Sequence, residues 1–205
     1  MPNRPVCTIP FMARTRSTTS EARLRILETA DRLFYLEGIR AVGIDRVIAE
    51  AEVAKATLYA HFPSKDDLIL AVLRHREASV LEFLRTAMER HQKRTKDKLR
   101  AFFAALKEWF QGPGFRGCAF INAAVELADP QHPGSKFVRE HKQRFREMID
   151  GLVEEAVGPA HARLTPAVAI LVEGAIVTAV IHGSAESADV ARDATLALVA
   201  GVGGK

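Results

Sequence analysis

Lys55, Thr57, Tyr59 and His61 fall within one short stretch, and each carries a side chain that can bond a nucleic acid. Lysine can read a guanine edge or bind phosphate. A threonine hydroxyl and methyl suit base edges or phosphate. Tyrosine and histidine can donate to phosphate oxygens. Lys65 follows at the start of the next apolar-periodic segment, where its ammonium and the first backbone N–H groups of a helix could hold a phosphate together. Arg46, just upstream, joins this set as a further cation. These groups do such chemistry only if Leu58 and Phe62, at i and i+4, turn inward over Ile48 and Val53. Spacing alone fits two readings: a DNA-reading helix, or an ordinary helical corner.

The elements expected to position them are helices. Thr18 and Glu21 form a capping box, so a helix starts near residue 19, buries Leu27, Ala30, Leu33 and Phe34, and ends at Gly38. Short helices follow over 44–51 and 54–61, and Pro63 stops the second. Two short helices joined by a tight turn are the layout of a helix-turn-helix, whose second member enters the major groove. Ser64 caps a long helix running to about residue 91, with Asp66 and Asp67 in its first turn.

Further helices are expected over 98–110, 117–127, 135–157, 166–182 and 187–199. His132-Pro133-Gly134 reads as a loop and Thr165-Pro166 as a helix start. The fold class is therefore all-α, with about nine helices. The domain division is a basic arm over 1–17, a helix-turn-helix domain over 18–62, and a helical ligand-binding and dimerisation domain over 63–205.

Hydrophobic residues make up 48% of the 205 and charged residues 26%, which excludes a disordered chain. A net charge of +4 permits a nucleic-acid partner without requiring one. The arm carries Arg4, Arg14 and Arg16 and no acid; it reads either as a solvated tail or as a strand reaching phosphate or a minor groove. Of the two cysteines, Cys7 lies in the arm, so a structural disulfide is not expected; Cys118 reads as a buried thiol rather than a sensor. The seven histidines lack metal-ligand spacing, so no metal and no cofactor is expected.

No nucleophile–base–orienter pattern or phosphate loop marks an enzyme. The most apolar stretch, 167–181, is interrupted by Glu173 and is short for a bilayer span, so the chain reads as a cytoplasmic protein without a membrane partner.

The run Leu33-Phe34 with Gly38, then Gly43-Ile44-Asp45-Arg46-Val47-Ile48-Ala49-Glu50-Ala51, then Thr57-Leu58-Tyr59-x-His61-Phe62-x-Ser64-Lys65, resembles the DNA-binding domain of the TetR family (tetracycline-repressor-like regulators) over about residues 21–71. The resemblance implies that Lys55, Thr57, Tyr59 and His61 face an operator and that Lys65 takes a phosphate. The chain departs from the pattern in three places: Val42 and Gly43 stand where threonine or serine often precedes the second helix, Glu52 stands where a turn glycine is usual, and Ala54 stands where a serine or threonine cap is usual.

The rest of the chain resembles the family only in architecture. The implied function is a sequence-specific transcriptional regulator: a homodimeric repressor on a palindromic operator, released by a small-molecule effector. For dimerisation, Gly174, Ala175, Ala179 and Gly183, with Ala191, Ala194, Leu196 and Leu198, permit close helix approach. For an apolar or aromatic effector, the candidate residues are Phe103, Phe110, Phe120, Asn122, Glu126 and His141; the aromatic members read equally as core. Two other functions stay open at this point: an all-α enzyme using the same pocket, and a ligand-independent DNA-binding protein.

Overall fold

The computed structural model describes residues 21–203. The expected arm and the capping-box residue Thr18 lie outside them. Among the described residues there are nine α-helices and no strand: α1 Glu21–Glu37, α2 Ile44–Glu50, α3 Lys55–His61, α4 Lys65–Gln92, α5 Lys98–Gln111, α6 Ala119–Leu127, α7 Pro133–Val157, α8 His161–His182 and α9 Glu186–Gly203. A 3-10 turn, Gly158–Ala160, joins α7 to α8.

Contacts divide the chain differently from the expected 62/63 boundary. Among the described residues, one compact unit holds 21–80 with 119–141; the other holds 81–118 with 142–203. In the first unit, α1, α2 and α3 close over Ile26, Leu33, Val42, Val47 and Leu58, all with essentially no solvent contact. Val42 and Val47 are fully enclosed, while Ile48 and Val53, expected beneath the second short helix, are half-buried. α1 ends as expected: Gly38 has φ +100° and its N–H donates to Phe34 O at 3.1 Å. Ser64 accepts from the Asp67 N–H at 3.1 Å and donates to the Asp67 carboxylate at 2.6 Å, closing the start of α4. α6 and the start of α7 belong to the same unit, joined by a parallel stack of Phe120 on His141 at 3.5 Å.

In the second unit, α5 buries Leu99, Phe102, Phe103, Leu106 and Phe110, while α8 buries Val168, Val172, Ala175, Ile176 and Ala179. Two expectations are corrected. Pro133 and Gly134 are the first residues of α7 rather than loop, because proline costs no hydrogen bond at the first helical position. Pro166 lies inside α8, which starts at His161, so it is not a helix start. Thr165, buried beside it, donates to the Asp150 carboxylate at 2.5 Å and pins this turn to α7. The longer α8 also revises the membrane argument: by length and composition alone, Ala162–His182 could cross a bilayer. Ala175, Ala179 and Ala191 are buried, and Ser187 of α9 donates to Ala175 O at 2.8 Å, so one face of α8 packs on α9.

Candidate nucleic-acid interface

α3 is anchored by Leu58 and Phe62, at 0% and 2% exposure, which leaves the remainder of a seven-residue helix facing outward. Lys55 and Tyr59 are exposed, and Thr57 and His61 are half-buried. The Lys55 ammonium stands 3.3 Å from the Asp45 carboxylate, with both groups well exposed, so the pair is weak and exchanges readily with phosphate. His61 lies edge-on to Phe62, with ring centres 6.5 Å apart. The Arg23 guanidinium covers the Phe62 ring at 5.1 Å. Four of the expected contact residues thus share one short helix whose inner face is locked.

The turn before α3 carries the departures noted in the sequence. Glu52 has φ +52°, the left-handed conformation that a glycine would adopt without strain. Gly43 and Ala54 occupy the N-cap positions of α2 and α3, and neither supplies a side-chain cap. Both helices therefore rest on packing rather than on their own ends.

Lys65 opens α4 with its ammonium 5.9 Å from the Phe34 ring centre. Burial lowers its pKa from the ordinary lysine value, against the opposing pull of Asp66 and Glu126. Arg46 is placed differently from the other candidates. Its guanidinium bonds both oxygens of Glu37, one of them at 2.8 Å, and its Nε donates to Glu50 at 2.9 Å. Glu50 also accepts from Arg32 at 2.6 Å. Hydrogen bonds to Glu37 and Glu50 raise the Arg46 pKa; the bonds from Arg32 and Arg46 hold the Glu50 carboxyl below its usual range. Arg46 ties α2 to α1, and reaching a phosphate would require these bonds to exchange. Sequence inspection missed this network because its members are scattered over 32–50; only Arg46 and Glu50, at i and i+4, were legible.

The expected effector residues separate. Phe103 and Phe110 are buried in the second unit, Phe110 against Trp109 at 5.8 Å and Phe115 at 5.1 Å. Phe120 and His141 are buried in the first unit, stacked on each other, with His141 Nδ1 2.9 Å from the Glu77 carboxylate. Asn122 and Glu126 are brought together on the rim of a half-open pocket with α1 and α4, also in the first unit. Cys118 is buried as expected, with the Lys142 ammonium donating to its sulfur at 3.4 Å and to Glu173 at 2.7 Å.

Residues 26–72 match the family model for bacterial regulatory proteins of the tetR family, and residues 95–195 match that for the tetracyclin repressor-like C-terminal domain. The structure is similar to that of SCO4454, a TetR-family transcriptional regulator from Streptomyces coelicolor. The TM-score is 0.79 at 34% identity, covering 90% of this chain and 97% of that one. The HTH-type transcriptional activator FasR of Mycolicibacterium smegmatis is 37% identical over 101 residues, 47% of this chain and 46% of its own. The HTH-type transcriptional repressor NemR of Escherichia coli is 24% identical over 115 residues, 56% of this chain and 58% of its own. The match thus spans about half the length of these two curated relatives. With both halves of the family architecture matched and a 34%-identical family member covered almost end to end, the chain belongs to the TetR family of DNA-binding transcriptional regulators.

Proposed function

We propose that this regulator is a cytoplasmic homodimeric repressor, which holds a palindromic operator with two copies of α3 and releases it when a small apolar or aromatic effector binds. The observation that carries the operator part is the division of α3. Leu58 and Phe62 are locked in the core, while Lys55, Thr57, Tyr59 and His61 lie on the surfaces left over. Lys55 and Thr57 read base edges; Tyr59, His61 and Lys65 hold phosphates. Arg46 sets the angle of α2 beneath them.

Dimerisation is supported by α8 and α9. Ile170, Ile181 and Val190 are 72%, 71% and 68% exposed, and Val177, Val180 and Leu198 are also uncovered. Gly174 and Gly183 have open space where a side chain would stand. Apolar side chains of this size concentrated on two adjacent helices fit a face that meets its own copy. The direction of regulation is not common to the relatives, since FasR is an activator and NemR a repressor. Repression needs only operator occupancy and is the reading we take. The effector acts through its different affinity for the two conformations, without catalysis.

The test is selection of bound duplexes from a randomised DNA pool at physiological salt. An enriched palindrome is the expected result, with half-site centres about 34–36 Å apart. Binding that vanishes as salt rises, with no enriched sequence, would overturn sequence-specific recognition in favour of non-specific phosphate contact.

A further inference from the structure

Asp45 and Lys55 are exposed side chains of opposite charge, placed where α2 and α3 begin. Asp45 lies in the first turn of α2, and Lys55 is the first residue of α3. The Lys55 ammonium donates to Asp45 Oδ1 at 3.3 Å, with the two side chains 65% and 87% exposed. An ion pair so open to water contributes little to stability. The neighbouring carboxylates are engaged otherwise: Glu37 and Glu50 accept from Arg46, and Glu50 accepts from Arg32 as well. Asp45 alone of these three stands against the helix that reads DNA. If the Lys55 ammonium reaches a base edge, the Asp45 carboxylate is within one hydrogen-bond length of that same edge.

A carboxylate has few uses on such a surface. It accepts hydrogen bonds and donates none, and phosphate oxygens also only accept, so against the DNA backbone it repels. On a base edge it has a partner, because the cytosine N4 amino group donates into the major groove. Lysine has the opposite preference and bonds guanine O6 and N7. In a G·C pair these groups are adjacent: cytosine N4 is itself hydrogen-bonded to guanine O6, at the roughly 2.9–3.0 Å of an N–H···O contact. An ammonium and a carboxylate 3.3 Å apart therefore present a donor beside an acceptor, at close to the spacing with which one G·C pair presents an acceptor beside a donor. An A·T pair offers the ammonium a single acceptor beside the thymine methyl, where guanine offers two.

We propose that Asp45 and Lys55 jointly read one G·C base pair in each half-site, Asp45 accepting from cytosine N4 and Lys55 donating to guanine O6 and N7. This rests on the operator reading above and adds to it a specificity-determining residue outside α3. In the free protein each group satisfies the other; on DNA each turns to its base at little cost, because the exposed pair is weak. Where the pair is inverted or replaced, the carboxylate meets an acceptor and its charge counts against binding.

The test compares duplexes selected from a randomised pool by the full-length wild type and by Asp45→Ala, Lys55→Ala and the double variant. Affinities are then measured for the selected operator with the G·C pair kept, inverted or replaced by A·T. Changing that pair should weaken wild-type binding about tenfold, each single variant about threefold, and the double variant hardly at all. Selection should relax at the same position in both single variants and nowhere else. Circular dichroism and Tm of Asp45→Ala should match the wild type, as its exposure implies. A selected sequence unaffected by Asp45→Ala would overturn the proposal, as would relaxation at a position other than that relaxed by Lys55→Ala. So would a uniform gain of affinity for every duplex, which would mean that Asp45 only repels phosphate. An enriched palindrome that ignores Asp45 defeats this inference alone, whereas a wild type that enriches no sequence defeats the operator reading and this inference with it.

Discussion

The α1–α3 region and the α8–α9 pair treat their apolar side chains in opposite ways. In α1–α3 the large aliphatic residues are enclosed: Ile26, Leu33, Val47 and Leu58 have essentially no exposure, and the outer surface is polar. In α8–α9, Ala175, Ala179, Ala188 and Ala191 are buried with Val168, Val172 and Ile176, while Ile170, Val177, Val180, Ile181 and Val190 stand exposed. The first arrangement is complete within one chain and leaves polar groups for a polar partner. The second leaves apolar area uncovered and implies a partner of its own kind. A regulator that reads a two-fold operator needs both.

The sharpest break of this contrast is Leu58→Ala. Emptying a fully enclosed leucine site should cost about 3 kcal/mol and release α3; urea denaturation reads the loss, and a cost below about 1 kcal/mol would mean that α3 is not locked by its core face. Next is Ile170→Asp combined with Ile181→Asp, which places charge on the uncovered face. Sedimentation should show monomer, and operator affinity should fall about 100-fold as simultaneous half-site contact is lost. A variant that remained a dimer would move the interface away from α8.

Tyr59→Ala and Lys65→Ala address the polar side. Each should weaken operator binding by about 1–3 kcal/mol, and loss of the Lys65 phosphate contact should reduce the salt slope by about 1. Unchanged affinity in folded dimer would remove them from the interface. Glu52→Gly should stabilise the protein by about 1 kcal/mol, because φ +52° is strained for glutamate and natural for glycine; a fall in Tm would contradict that.

The smallest effect concerns pH. Glu50 titrates below its ordinary value, because Arg32 and Arg46 bond its charged form. Its contribution is therefore present in full above the ordinary glutamate pKa of 4.5 and fades as pH falls below it. Glu50→Gln should flatten stability measured against pH in that acid range and leave the neutral range little changed in slope.

The helical periods, the Gly38 stop, the Ser64 cap and the α2–turn–α3 layout were all legible in the sequence, because each depends on residues within a few positions of one another. So was Glu52 as an unusual turn residue. Pro133 and Pro166 were misread because proline permits either a helix start or an interior position, and the neighbouring packing chooses. At Pro166 the choice goes with Thr165, bonded to Asp150 fifteen residues away.

The candidate interface was readable for the same local reason: Lys55, Thr57, Tyr59 and His61 lie on one helix. The network around Arg46 was not, because Glu37 comes from α1 and Arg32 reaches Glu50 across eighteen positions. Among the effector candidates, composition marked the aromatics but could not separate the Phe120–His141 stack, closed on itself, from Asn122 and Glu126, which border open space.

The sequence by itself determined an all-α chain with a helix-turn-helix near its N-terminus, since helical period, caps and a DNA-reading motif are short-range properties of the polymer. The tertiary structure alone decided that α6 packs with the DNA-binding helices, that Glu126 grips the turn after α1, and which faces of α8 and α9 remain uncovered. Those outcomes depend on contacts between residues many positions apart, where no local rule reaches.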